Sequence, residues 1–121
     1  MKIIRAKDSH LYSESVLSGS FVFTGGKVGI DPKTGKVSGN IREQTKQTLE
    51  NLKAVLETSG TSMENVARVM IFLTDMSDYN QMNEVYEEFF GNRPPARICV
   101  EVAKLALPEL KIEIDAIAER S

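Results

Sequence analysis

The sequence predicts an α+β domain, a single sheet with two long helices packed on one of its faces. Three patterns point there. Two segments carry apolar stripes at helical spacing, and the C-terminal stretch alternates apolar and polar side chains. The run between the two helical segments, VARVMIFLT, is apolar almost throughout. In chain order, KIIRA (2–6) is a short apolar strand. SESVLS (13–18) is a second, turning at Gly19-Ser20 into a third, FVFTGG (21–26), which is β-branched and aromatic and ends on two glycines. DPKTG (31–35) has the composition of a tight turn. Asn40 and Glu43 are spaced as the N-cap and N3 of a capping box, and Gly60 suits the left-handed position that ends the helix. Within it Thr48, Leu49, Leu52, Val55 and Leu56 form one stripe, while Glu43, Lys46, Glu50, Lys53 and Glu57 lie opposite.

VARVMIFLT (66–74) reads as a strand buried on both faces. A second helix is expected from Ser77 to just before Gly91, with Tyr79, Met82, Tyr86, Phe89 and Phe90 as a core stripe. Pro94-Pro95 stops any continuation. ARICVEVAKL (96–105) and ELKIEIDAIAE (109–119) are alternating strands joined through Pro108. The predicted order is β-β-β-α-β-α-β-β. With no repeat, linker or low-complexity stretch, residues 1–121 form one domain.

Composition narrows the function classes. At 121 residues the chain closes one core, and 41% hydrophobic with 26% charged residues excludes a disordered or disulfide-framework protein. Fifteen basic against seventeen acidic side chains give a net charge of −2, which disfavours nucleic acid as a partner. A lone cysteine, Cys99, forms no internal disulfide, and a lone histidine, His10, leaves no cluster for zinc. No apolar run is long enough for a membrane span and MKIIRAKDSH lacks a signal-peptide core, so the expected setting is the cytoplasm. A domain this small has little room to enclose a polar site by itself.

Strand alternation supplies the candidate chemistry. Ile98, Val100 and Val102 share one face of their strand, leaving Arg97, Cys99 and Glu101 on the other. Ile112, Ile114 and Ala116 match the first set; Lys111, Glu113 and Asp115 match the second. As antiparallel neighbours, the two strands would bring Arg97, Cys99 and Glu113 together on the face the helices leave open. The same alternation also describes a plain half-exposed sheet. Arg97 follows a rigid Pro-Pro pair and carries the fork best shaped for a planar carboxylate. Cys99 has no nearby histidine to serve as its base, so packing is the better expectation for it. Gly25-Gly26-Lys27 lacks the earlier glycine and the following Ser/Thr of a phosphate loop and reads as a bend at a strand end. His10 is expected on the surface, and Asn83, one position off its helix stripe, at the helix–sheet boundary bonding backbone.

Most of the chain, from about Tyr12 to Ala118, resembles the Rid family of reactive intermediate deaminases, also called RidA or YjgF-like. PPARICVEVAKL (94–105) is similar to that family's PPAR-S/T-CVEVA-x-L signature, and KIEIDAIA (111–118) to its closing segment. DPKTGKV, QTKQTLENLKAVLETSG, IFLTDM and NEVYEEFF follow in family order. The resemblance implies a chorismate-mutase-like mixed sheet assembled as a homotrimer with sites between subunits. It also implies hydrolysis of 2-aminoacrylate and 2-iminobutyrate to 2-keto acids and ammonia, without cofactor or metal. Arg97 matches the carboxylate-binding arginine, Glu113 the acid that handles water, and Cys99 the pocket cysteine. Tyr12 and Asn83 match further pocket positions, as do Gly25 and Gly26. A non-catalytic trimer that binds keto acids is the alternative, and RNA cleavage or chaperone action a third reading, of which RNA cleavage has little support from the charge balance.

The chain departs from the family's pattern around this site. His10-Leu11-Tyr12-Ser13-Glu14 stands where GPYSQ is common, and Gly25-Gly26-Lys27 where SGQ is common. A pocket hydroxyl is thereby lost, and Gly29 replaces a proline. Glu14 and Lys27 are of opposite sign and would offset each other if close.

Overall fold

A computed structural model describes residues 1–121. Seven strands and two helices follow in order: β1 (Lys2–Arg5), β2 (Ser13–Ser18), β3 (Phe21–Thr24), β4 (Lys27–Val28), α1 (Ile41–Thr58), β5 (Val66–Leu73), α2 (Tyr79–Phe90), β6 (Ala96–Glu101) and β7 (Ile112–Glu119). All seven strands form one mixed sheet in the order β1-β2-β3-β7-β5-β6, with β4 also paired to β7. The expected α+β class holds, with strands that pair antiparallel except β5 with β6.

Local chemistry accounts for the elements. The capping box forms as spaced: Asn40 Oδ1 accepts from the Glu43 amide at 2.9 Å and Glu43 Oε1 from the Asn40 amide at 3.0 Å. Gly60 adopts φ +86° one residue past the cap, where a side chain would be strained. A short 3-10 turn at Met76–Asp78 leads into α2, so that helix begins two residues later than the spacing predicts. Strand β6 ends at Glu101 rather than near Leu105 because its only partner, β5, runs out at Leu73.

Leu49, Leu52 and Leu56 of α1 and Met82, Tyr86 and Phe90 of α2 close over Val69, Ile71 and Leu73 of β5 and Ile112, Ile114, Ala116 and Ala118 of β7. Buried aliphatic side chains of this kind each stabilise the fold by about 1.5–3 kcal/mol. Both helices therefore cover one face, as expected. The other face is bare, and β5 is buried on one side only: Met70 and Phe72, which point away from the helices, are half-buried.

The order of strands corrects one expectation. Strands β6 and β7 are not neighbours, because β5 lies between them, parallel to β6 and antiparallel to β7. The chain β5–α2–β6 is a crossover unit, and a helix spanning the sheet delivers the following strand parallel beside the first.

Candidate active site

Register settles which face each candidate occupies. Arg97 pairs with Val69 and Cys99 with Ile71, both fully buried under the helices, so Arg97 and Cys99 stand on the helix-covered side. Glu113 pairs with Phe72 and Asp115 with Met70, opposite to the buried Ile112, Ile114 and Ala116, so both carboxylates stand on the bare face. Arg97 and Cys99 are thus on one side of the sheet and Glu113 on the other. The expectation that all three share the open face is overturned. Its premise was that Ile98 and Val100 turn inward. On the edge strand β6 they turn outward and remain 42% and 39% exposed.

The first cluster forms where β6 passes α2. The Arg97 guanidinium lies 5.5 Å from the Tyr79 ring centroid and 4.9 Å from that of Tyr86. Its Nη2 donates to the Tyr79 hydroxyl at 2.9 Å. Neither of the chain's ion pairs includes Arg97, so its charge is held by aromatic faces with no carboxylate partner. Asn83 Oδ1 and the Tyr86 hydroxyl are buried and have no hydrogen-bond partner, so the backbone bond expected of Asn83 is not formed. Both belong to the same helix as Tyr79. Buried polar atoms left unpaired cost about 1–3 kcal/mol each, a cost that a ligand offering complementary groups would remove. Cys99 packs half-buried against the core, and burial pushes its thiol up while the Arg97 charge opposes this. Such a thiol is a poor nucleophile.

The second cluster forms where β3 gives way to β4. The Gly25 amide donates to the Glu14 carbonyl at 2.9 Å, extending the β2–β3 ladder at its open end, and Tyr12, two residues before Glu14, is 60% exposed. Asn51 of α1 donates to the carbonyls of Val28 and Ile30, both at 2.9 Å, and pins the end of β4. Gly29 sits so close to Gln44 that a Cβ would lie 2.9 Å from its carbonyl oxygen, which explains why glycine occupies that position. Glu14 and Lys27 do pair, at 2.6 Å, so the two charged departures offset each other. The Glu113 carboxylate lies directly over Gly26, where any Cβ would overlap Oε2. Burial, then the neighbouring Asp115 charge, raises the Glu113 carboxyl above its usual range. Asp115 is raised by burial too, with a backbone bond from Met70 and the Arg68 charge working against it.

Gly26 is therefore the residue that lets Glu113 take this position. If Glu113 handles water as the family resemblance implies, Gly26→Ala is expected to displace the carboxylate and reduce kcat by about 10²-fold, the usual cost of moving a reacting group by an ångström. Circular dichroism and steady-state kinetics check it; unaltered kcat in the folded variant would contradict that implied role.

Among the predicted residues, then, Gly25, Gly26 and Glu113 lie together, Arg97, Cys99 and Asn83 form another group, and Tyr12 stands exposed in the loop before β2. His10 is exposed as expected. Tyr79 and Tyr86 were expected only as core. Tyr86 is buried there, but both rings also face Arg97. The signal available for them was spacing: seven residues apart on a helix, they share one face. No group of His, Cys, Asp and Glu is arranged to hold a metal ion, and no helix is long and apolar enough to cross a membrane.

Comparison with known proteins places this geometry in context. A family model described as endoribonuclease L-PSP matches residues 4–120. A RutC family protein of Pyrococcus horikoshii is 50% identical over 108 residues, covering 88% of this chain and 85% of its own. The 2-iminobutanoate/2-iminopropanoate deaminase of Salmonella typhimurium is 42% identical over 112 residues, covering 90% and 87%. Among solved structures, Escherichia coli TdcF with bound serine superposes with a TM-score of 0.92 at 37% identity, over the whole of both chains.

Proposed function

The chain belongs to the endoribonuclease L-PSP family, the YjgF/RidA proteins, and from that premise we propose that it hydrolyses reactive 2-imino and 2-enamino acids. The products are 2-keto acids and ammonia, and the site is completed between copies of the chain. One observation carries the proposal. An arginine without a carboxylate partner and an acid with a raised pKa, the two groups this hydrolysis needs, stand on opposite faces of the same sheet. Within one chain the sheet itself stands between them. The bare face offers the means. Ile3, Phe21, Phe23, Ile98 and Val100 are 39–48% exposed there, an apolar patch suited to burial against a second copy. A closed homotrimer, the assembly implied by the family resemblance, would set the Arg97 cluster of one copy against the Glu113 cluster of the next.

In this scheme Arg97 holds the substrate carboxylate through paired hydrogen bonds. Glu113 accepts a proton from water as its oxygen bonds to the C=N carbon and passes that proton to the imine nitrogen, giving the carbinolamine. Glu113 then takes the proton of the new hydroxyl as the C=O bond forms and delivers it to the departing nitrogen, so the C–N bond breaks and ammonia leaves the keto acid. Enamines enter after tautomerising to the imine. The balance requires only water, and much of the acceleration comes from holding water and imine together. The name of the Salmonella relative and the amino acid bound to TdcF support a small carboxylate-bearing substrate.

The test uses imine generated in situ by a serine or threonine dehydratase. Adding the protein should accelerate release of pyruvate or 2-ketobutyrate. Saturable keto-acid binding with no acceleration over several imines would instead identify a non-catalytic keto-acid-binding protein.

A further inference from the structure

We infer that Tyr79 is a second component of the carboxylate anchor, contacting the substrate beside Arg97; this rests on the imine-acid reading above. The phenolic oxygen accepts from Arg97 Nη2 at 2.9 Å, which leaves its own proton to be donated. No acceptor within the chain takes that proton, and the Tyr79 side chain is 37% exposed. A carboxylate seated in the Arg97 fork therefore lies within reach of the Tyr79 O–H. The ring adds a second constraint. Tyr79 and Tyr86 both face the guanidinium, at 5.5 and 4.9 Å, and restrict its orientation before any ligand arrives. An arginine held in this way loses less rotamer freedom on binding, which favours affinity.

Of the two rings, only Tyr79 presents its hydroxyl to solvent. The Tyr86 hydroxyl is buried without a partner, and burial raises its phenol against the opposing charge of Arg97. Tyr86 is part of the core as well as a face for Arg97, whereas Tyr79 stands at its margin. The hydroxyl of Tyr79 can thus be removed with little effect on packing.

Tyr79→Phe tests this, because it keeps the ring and removes both hydrogen bonds. The Kd for 2-ketobutyrate, read by titration calorimetry on the assembled protein, should rise about tenfold, the usual size for one charge-assisted bond. KM for the imine should rise in parallel with kcat within about twofold, and thermal stability should hold. In an Arg97→Ala background the same change should have no further effect, since the carboxylate is no longer seated there. Binding within about twofold of wild type in Tyr79→Phe overturns the inference, as does a fall in kcat and Tm with KM unmoved. A wild type that binds 2-ketobutyrate but turns over no imine, with binding weakened by Tyr79→Phe, retains Tyr79 in the anchor and overturns the deaminase reading. Wild-type protein that binds no 2-keto acid overturns both.

Discussion

Arg97→Ala is expected to lower kcat/KM for a 2-imino acid by 10²- to 10³-fold while the protein remains folded and assembled. Removing one partner of a hydrogen-bonded charge pair costs about 2–5 kcal/mol, and each 1.4 kcal/mol is tenfold. No group in the chain can take over the role. The two ion pairs occupy Lys27 with Glu14 and Arg42 with Glu84, and no other cation shares the aromatic cradle of Tyr79 and Tyr86. Stability should change little, because the guanidinium lies outside the aliphatic core and makes no ion pair. Parallel loss of keto-acid binding, by calorimetry, would identify the missing interaction as the carboxylate anchor. Unchanged turnover in the folded variant would remove Arg97 from the site.

Glu113→Gln carries the second large effect. Loss of the group that handles water should reduce kcat by about 10²- to 10⁴-fold, with 2-ketobutyrate affinity changed by less than about threefold. The opposite split, weak binding with normal kcat, would contradict a water-handling role. The wild type should show a matching pH dependence. The active form is the ionised carboxylate, whose pKa is raised by burial and by Asp115, so the acid limb should lie above the usual range of glutamate. Stability has the reverse sign. A carboxyl that holds its proton more tightly folded than unfolded stabilises below the unfolded pKa, and loses that contribution as pH rises through the folded one. At neutral pH the ionised group opposes folding, so Glu113→Gln should leave Tm unchanged or raise it. An inactive variant that is at least as stable as wild type cannot be attributed to misfolding.

Much of the fold was legible because the residues that set it act locally. Asn40, Glu43 and Gly60 delimit α1, and the Gly19-Ser20 turn joins two strands whose bounds depend on alternation alone. The faces of the C-terminal strands were not legible in this way. Alternation in β7 was read correctly, since its apolar set does turn toward the helices. Alternation in β6 was read in reverse. Hydropathy shows which residues avoid water but not the side on which they avoid it, and an edge strand facing another copy can turn its apolar residues outward. The strand–helix–strand run from Val66 to Glu101 did hold the correcting signal, because such a crossover places β6 parallel beside β5.

The candidate residues themselves, Arg97 and Glu113 foremost, were legible from charge, position and family resemblance. Their separation was not, because it follows from the long-range pairing of β7 with β5 rather than from any local motif. The placing of Gly25 and Gly26 beside Glu113 depends likewise on the pairing of β4 with β7. The tyrosines around Arg97 were masked by their helical stripe, where apolar bodies and polar ends look like ordinary core.

In the proposed enzyme a productive site takes Arg97 from one copy and Glu113 from another. Mixing Arg97→Ala with Glu113→Gln protein, after dissociation and reassembly at equal amounts, tests it most directly. Each variant alone is inactive, but in random mixed assemblies about one site in four receives an intact Arg97 and an intact Glu113 from different chains. Activity per site should therefore recover to about a quarter of the wild-type value. Mixed assemblies that form but remain as inactive as the separate variants would contradict the claim, because both groups would then have to come from the same chain.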